Sequence, residues 1–127
     1  MNPPSFLAAS LYVALGGGFG AWLRYVVGRL MPLGAIPWAT LTVNIAGSFA
    51  MGLLVGWLAR HSAGEGWRLL LGVGLLGGFT TFSAFSLELV NMIERGNAGM
   101  AAVYALVSVV GGIAGLFAGL MVVRALA

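Results

Sequence analysis

The sequence predicts an all-α membrane protein: four transmembrane helices, the third of them broken, forming one domain over residues 1–127. Three observations carry this expectation. Hydrophobic residues make up 61% of the chain and charged residues 7%, with a mean hydropathy of +1.04, so too few polar groups exist to cover an apolar core in water. The apolar residues fall into four runs, each near the roughly 20 residues that a helix needs to cross hydrocarbon. The third run is interrupted by Gly77-Gly78-Phe79-Thr80-Thr81-Phe82-Ser83-Ala84-Phe85-Ser86. There a glycine pair loosens helix periodicity, threonines offer caps to restart it, and two phenylalanines three residues apart share a face.

Composition also excludes several function classes. The chain has no cysteine, which removes thiolate metal sites, disulfides and thiol nucleophiles. A pI near 10.2 arises from six basic and three acidic residues. The basic residues are all arginines scattered singly, not the patch or stripe of a nucleic-acid footprint. Gly72-x-Gly74-x-x-Gly77 matches a dinucleotide fingerprint as a string, but lacks the preceding strand and βαβ unit that the motif requires. Paired carboxylates, a nucleophile with its base and a nucleotide loop are all missing, so the expectation is not an enzyme.

The first helix is expected from about Phe6 to about Leu30, after a short polar lead from Met1 to Pro4. It lacks a charged n-region and a cleavage site, so it reads as a retained span. Gly16 and Gly20 begin a four-residue stripe that continues through Arg24 to Gly28, and small residues let membrane helices approach closely. Pro32, Gly34 and Pro37 make the first turn. The second helix is expected from about Trp38 to about Ala59, with Thr40, Asn44 and Ser48 as a polar stripe. An asparagine at membrane depth needs a partner or a wet cavity, which leaves interhelical glue and an ion path both open. Arg60 to Gly66 reads as a polar loop in which His61 is solvated, with no second metal ligand beside it. The third helix follows from about Trp67 to Ile93. The fourth, from about Ala98 to Leu126, sets Tyr104, Ser108 and Gly112 on one face and Gly111, Gly115 and Gly119 on a neighbouring one.

If the four runs alternate, one side of the membrane carries Arg60, Arg68 and Arg124 and the other carries Arg24, Arg29 and Arg95. Orientation follows the imbalance of basic residues, and here there is none. Both orientations are then expected, and an antiparallel, dual-topology homodimer in the lipid bilayer is the natural assembly.

A helix broken at membrane depth exposes backbone groups that only protein or water can satisfy. Unwound carbonyls suit a cation such as Na⁺, whereas half-helix N-termini and hydroxyls suit an anion. Aromatic edges carry partial positive charge as well, so Phe82 and Phe85 are either packing or an anion's lining.

The chain resembles the small fluoride channels of the Fluc family, also called CrcB proteins. The resemblance lies in Gly20-Ala21-Trp22-Leu23-Arg24-Tyr25, in Thr40-Leu41-Thr42-Val43-Asn44 and above all in the motif from Gly77 to Ser86, in family order and spacing. It implies a dual-topology antiparallel dimer with two fluoride pathways and a structural Na⁺ on the dimer axis. By that likeness Asn44 donates to fluoride, Phe82 and Phe85 line its path, and the backbone carbonyls of Gly77 and Thr80 from both subunits hold Na⁺. Arg24 corresponds to the vestibule arginine. Thr81, Ser83, Glu88, Tyr104 and Ser108 correspond to a polar track. Gly112 departs from the pattern, because related chains can carry a hydroxyl residue there.

The implied function is passive export of fluoride across the plasma (inner) membrane. The competing class is a proton-coupled exporter of small cations, resembling the small multidrug-resistance transporters. Those need a carboxylate within the membrane, and the first helix here has none; Glu88 is the only acid expected at some depth. Lysines added to the loop after the second helix should bias insertion toward one orientation and deplete function when that variant is expressed alone. Topology mapping combined with a flux assay checks this, and full activity from a single-orientation variant excludes the antiparallel pair.

Overall fold

The computed structural model describes residues 3–126; Met1 and Asn2, at the start of the expected polar lead, and Ala127 lie outside the described residues. Helix α1 (Phe6–Leu30) starts at Ser5, whose Oγ accepts the Ala8 N–H at 3.3 Å, satisfying one of the four orphan donors of a helix start. It ends where Met31 turns extended, as a residue preceding proline does. Helix α2 (Trp38–His61) runs two residues beyond the expected end and takes in His61. His61 Nδ1 donates to the Trp57 carbonyl at 2.9 Å, satisfying a last-turn acceptor, and its ring stacks on Trp57. The expected polar loop thus shrinks to Ser62, Ala63 and Gly64.

The third span covers Glu65–Glu94. It comprises the short helix α3 (Glu65–Trp67), a π-helical stretch Arg68–Leu76, a single turn α4 (Gly77–Phe79) and the longer helix α5 (Phe82–Glu94). The π-helical winding is not expected from the sequence. Helical geometry lapses at Thr80 and Thr81, with φ/ψ of −85°/159° and −152°/123°. The glycine pair is therefore not itself the interruption: Gly77 and Gly78 are helical, and the chain turns extended after Phe79. Helix α6 (Ala98–Ala125) follows a tight link.

That link is a complete Schellman turn. Gly96 has φ +81°, its N–H bonds the Ile93 carbonyl at 2.9 Å, and the Asn97 N–H reaches the Met92 carbonyl at 2.9 Å. Left-handed geometry at this position is what favours glycine.

Two helix pairs make the bundle: α1 lies on the π-helical stretch and α4, and α2 lies on α6. Small residues set both contacts. A Cβ added at Gly16 would meet the Leu75 amide at 2.9 Å and the Gly74 Cα at 3.1 Å, and one at Gly78 would collide with the Gly17 carbonyl. Across the other pair, a Cβ at Gly119 would reach the Leu53 amide at 2.8 Å and one at Gly52 the Leu120 amide at 3.0 Å. The glycine stripes are packing surfaces, as backbone approach in lipid requires. Gly28, counted with the first stripe, meets nothing within 4 Å. A small core of Phe85, Met92, Ala101 and Tyr104, flanked by Leu41, Leu89 and Ala105, joins α5 to α2 and α6. Large apolar side chains such as Leu15, Leu106 and Phe117 stay exposed, as on a surface bathed in lipid. All four spans are long and apolar enough to cross a membrane.

Gly16→Ala should destabilise the chain by about 1–3 kcal/mol through overpacking against backbone that cannot yield. Gly99→Ala, where a Cβ meets open space, should be neutral or slightly stabilising. Thermal unfolding in detergent distinguishes the two.

Candidate functional site

The centre of the site is the extended pair Thr80–Thr81, reached from α2 by Asn44. The Asn44 amide forms a two-point bond with the Thr81 backbone: Nδ2 donates to the Thr81 carbonyl at 2.9 Å and Oδ1 accepts the Thr81 N–H at 2.8 Å. Asparagine alone among small side chains offers both a carbonyl and an NH₂ group, and one Nδ2 hydrogen remains for a further acceptor. The Thr81 side chain caps α5, its Oγ1 accepting the Ala84 N–H at 3.2 Å. Ser83 lies beside it, with its hydroxyl 3.3 Å from Thr81 Oγ1.

These bonds change what the backbone offers. In a continuous helix the Thr81 N–H would bond the Gly77 carbonyl and the Ala84 N–H the Thr80 carbonyl. The first goes instead to Asn44 and the second to the Thr81 hydroxyl. The carbonyls of Gly77 and Thr80 are thereby left without their helical donors, and these are the two oxygens that the resemblance assigns to Na⁺. The intervening Gly78 carbonyl is different: Arg24 Nε donates to it at 3.1 Å. Arg24 thus binds α1 to the interrupted segment at half-buried depth. Thr80 Oγ1 turns back onto the Leu76 carbonyl at 2.9 Å.

The two phenylalanines are adjacent, with centroids 5.7 Å apart and planes tilted by 46°, but their surroundings differ. Phe82 is 79% exposed, whereas Phe85 is 8% exposed in the core and lies 5.3 Å from the Tyr104 ring. Within one chain, then, the Phe82 ring stands open, and Gly77 and Ser83 are exposed as well.

One helical turn beyond, Glu88 joins three spans. Its Oε1 accepts from Thr40 Oγ1 at 2.6 Å and its Oε2 from the Tyr104 hydroxyl at 2.7 Å. Hydrogen bonds between hydroxyls and a carboxyl at such lengths are strong, and they give this intramembrane acid the partners it needs. Ser108, a turn along α6 from Tyr104, is the exception: its buried Oγ has no hydrogen-bond partner among the described residues. A Cβ at Gly112 would lie 3.5 Å from Ser48 Oγ, so the position has room for the hydroxyl residue that related chains can carry. Two groups of expected residues therefore come together, Asn44 with Thr80, Thr81 and Ser83, and Glu88 with Phe85 and Tyr104. The partner role of Thr40 was not assigned from sequence, although its four-residue spacing from Asn44 was visible there.

The fold and this polar interior define a multi-pass helical membrane protein with a partly unwound span and a set of uncommitted backbone and side-chain dipoles inside it. The CrcB family model, described as "CrcB-like protein, Camphor Resistance (CrcB)", matches residues 11–120, and the chain belongs to that family. It is 53% identical to a Novosphingobium aromaticivorans protein, over 95% of this chain and 100% of the relative. It is also 53% identical to one from Erythrobacter litoralis, over 96% and 95%, and 55% identical to one from Hyphomonas neptunium, over 90% and 94%. All three relatives are named fluoride-specific ion channel FluC.

Asn44→Ala leaves both the N–H and the carbonyl of Thr81 without their partner. Each buried orphan costs about 1–3 kcal/mol, so a clear fall in thermal stability should accompany loss of flux. Ser48→Ala, whose hydroxyl carries no comparable bond to the interrupted segment, should fall far less in the same unfolding assay.

Proposed function

We propose that the chain is a fluoride-selective ion channel that exports fluoride passively across the inner membrane, working as an antiparallel, dual-topology homodimer. The observation that carries this reading is the extended Thr80–Thr81 segment, clamped by Asn44 beside Phe82 and Phe85, in a chain of a family whose relatives are named for fluoride conduction. Fluoride is small and strongly hydrated, so a pathway must exchange its water for close donors. The spare Nδ2 hydrogen of Asn44, the hydroxyls of Thr81 and Ser83 and the ring edges of Phe82 and Phe85 supply donors or positive edges. Glu88 of the third span and Tyr104 and Ser108 of the fourth continue a polar track, in which the buried Ser108 hydroxyl keeps its hydrogen-bonding capacity unspent.

Exposure of Gly77, Phe82 and Ser83 supports pairing of two copies, since a ring and a hydroxyl left open in one chain are covered when a second chain meets them. The carbonyls of Gly77 and Thr80, lacking helical donors, fit the oxygen set of a Na⁺ site shared by two subunits. When bound, Na⁺ supplies a fixed positive charge that ties the two interrupted segments together. Arg24, held at the Gly78 carbonyl, places a second positive charge beside that segment.

Export needs no catalysis or fuel. Fluoride that enters as neutral HF ionises in the cytoplasm, and the membrane potential, worth about 2.3 kcal/mol per charge per 100 mV, drives the anion out through any selective leak. Purified protein in liposomes should therefore release fluoride when a K⁺ gradient and valinomycin set the potential. Silence under those conditions, or efflux that demands a proton gradient, sinks the channel reading and favours a coupled exporter. In the same assay Phe82→Ile and Phe85→Ile should each lower flux while the dimer survives. Phe85→Ile should also lose about 1–3 kcal/mol of stability, since it alone lies in the core.

A further inference from the structure

A cavity of about 280 Å³ opens at the end of the bundle where α1 and α5 finish and α2 begins. The link between α1 and α2 forms one wall, and Glu88, Asn91, Met92 and Arg95 of α5 form another. Those four residues fall at i, i+3, i+4 and i+7, one face of a helix. Met92 turns into the core, while Glu88, at the inner end, is the same residue that accepts from Thr40 and Tyr104. The cavity therefore leads from the bundle end to the polar track, and Glu88 and Arg95 are its only charged lining residues among those described. A carboxylate alone at this position would repel an anion. Arg95 sits two turns nearer the opening, on an exposed residue, and its backbone is held by the Schellman turn through Gly96 and Asn97, with its own N–H on the Asn91 carbonyl at 3.2 Å.

We propose that Arg95 is the anion-collecting residue of this cavity, offsetting the charge of Glu88 and raising the fluoride concentration at the mouth of the polar track. The proposal rests on the channel reading and adds to it a residue outside the motifs that carry the resemblance. Its action is electrostatic and through water, so it is screened by salt, unlike a structural contact.

Fluoride flux is measured from liposomes bearing the wild type, Arg95→Gln and Arg29→Gln, at about 10 mM and about 1 M of an impermeant potassium salt. Across these strengths the screening length falls from about 30 Å to about 3 Å. Arg95→Gln is expected to lower flux about two- to five-fold at the low strength, the effect of one charge a few ångströms from the ion in water, and to match the wild type at the high strength. Arg29→Gln removes the same charge at the same bundle end but does not line the cavity, and it should change flux little. The chain has no native cysteine, so Arg95→Cys offers one labelling site. A methanethiosulfonate carrying a trimethylammonium group should restore its low-salt flux, and one carrying a sulfonate should not. Equal flux of Arg95→Gln and wild type at low salt, an equal deficit at both strengths, or the same response to both reagents overturns the proposal. A silent wild type in the same liposomes instead overturns the channel reading, so the two failures are told apart.

Discussion

The two-point bond between the Asn44 amide and the Thr81 backbone is the interaction on which the rest of the site depends. Hydrocarbon offers a free N–H or carbonyl no partner, so a span can leave helical geometry only where protein replaces the lost bonds. Asn44 replaces both groups of one residue at once, with distances of 2.8 and 2.9 Å. The Thr81 hydroxyl then caps the resumed helix, and Arg24 takes the Gly78 carbonyl. What remains is specific: the carbonyls of Gly77 and Thr80 lose their usual donors, whereas those of Gly78 and Thr81 gain side-chain donors from Arg24 and Asn44. The interruption is thus held in place by side chains of α1 and α2 while the Gly77 and Thr80 oxygens stay chemically uncommitted.

Close packing elsewhere makes this geometry possible. Gly16, Gly17 and Gly20 bring α1 against the π-helical stretch and α4, while Gly52, Gly115 and Gly119 bring α2 against α6. With backbones in near contact, short side chains such as Thr40 and Asn44 reach across the bundle to Glu88 and Thr81. A Cβ at Gly47 would collide with Thr80 Cγ2, so even the position of the extended pair depends on a missing side chain on α2. Glu88 then ties α2, α5 and α6 through Thr40 and Tyr104, which gives the half-buried acid two partners and sets Phe85 against Tyr104.

Much of the architecture was legible in the chain because hydrophobic length is a local property. Four runs near bilayer thickness sufficed to place α1, α2, the third span and α6, with ends that differ by at most about two residues. Turn chemistry was equally local: Pro32 and Pro37 bound the first link. The polar residues at issue were visible too, since Asn44, Thr81 and Glu88 stand out where few polar groups occur, and family likeness added the order and spacing of the motifs. By contrast, Gly77-Gly78 drew attention as the interruption, yet both residues are helical. The missing side chain of Gly78 serves contact with Gly17 of α1, whereas a Cβ at Gly77 would meet only the Gly72 carbonyl at 3.8 Å, and such roles cannot be read from a glycine pair without knowing what lies opposite.

The sequence by itself therefore determined the environment, the number of spans, the balance of arginines and the identity of the polar residues, all of which follow from composition and spacing. Only the tertiary structure decided which residues leave the helix, which carbonyls lose their donors and why Phe85 is enclosed while Phe82 stands open. It also decided that Arg95 shares a cavity with Glu88. Each of these depends on what another span places within hydrogen-bonding or van der Waals distance, and such proximity between residues tens of positions apart is a property of packing rather than of any local pattern.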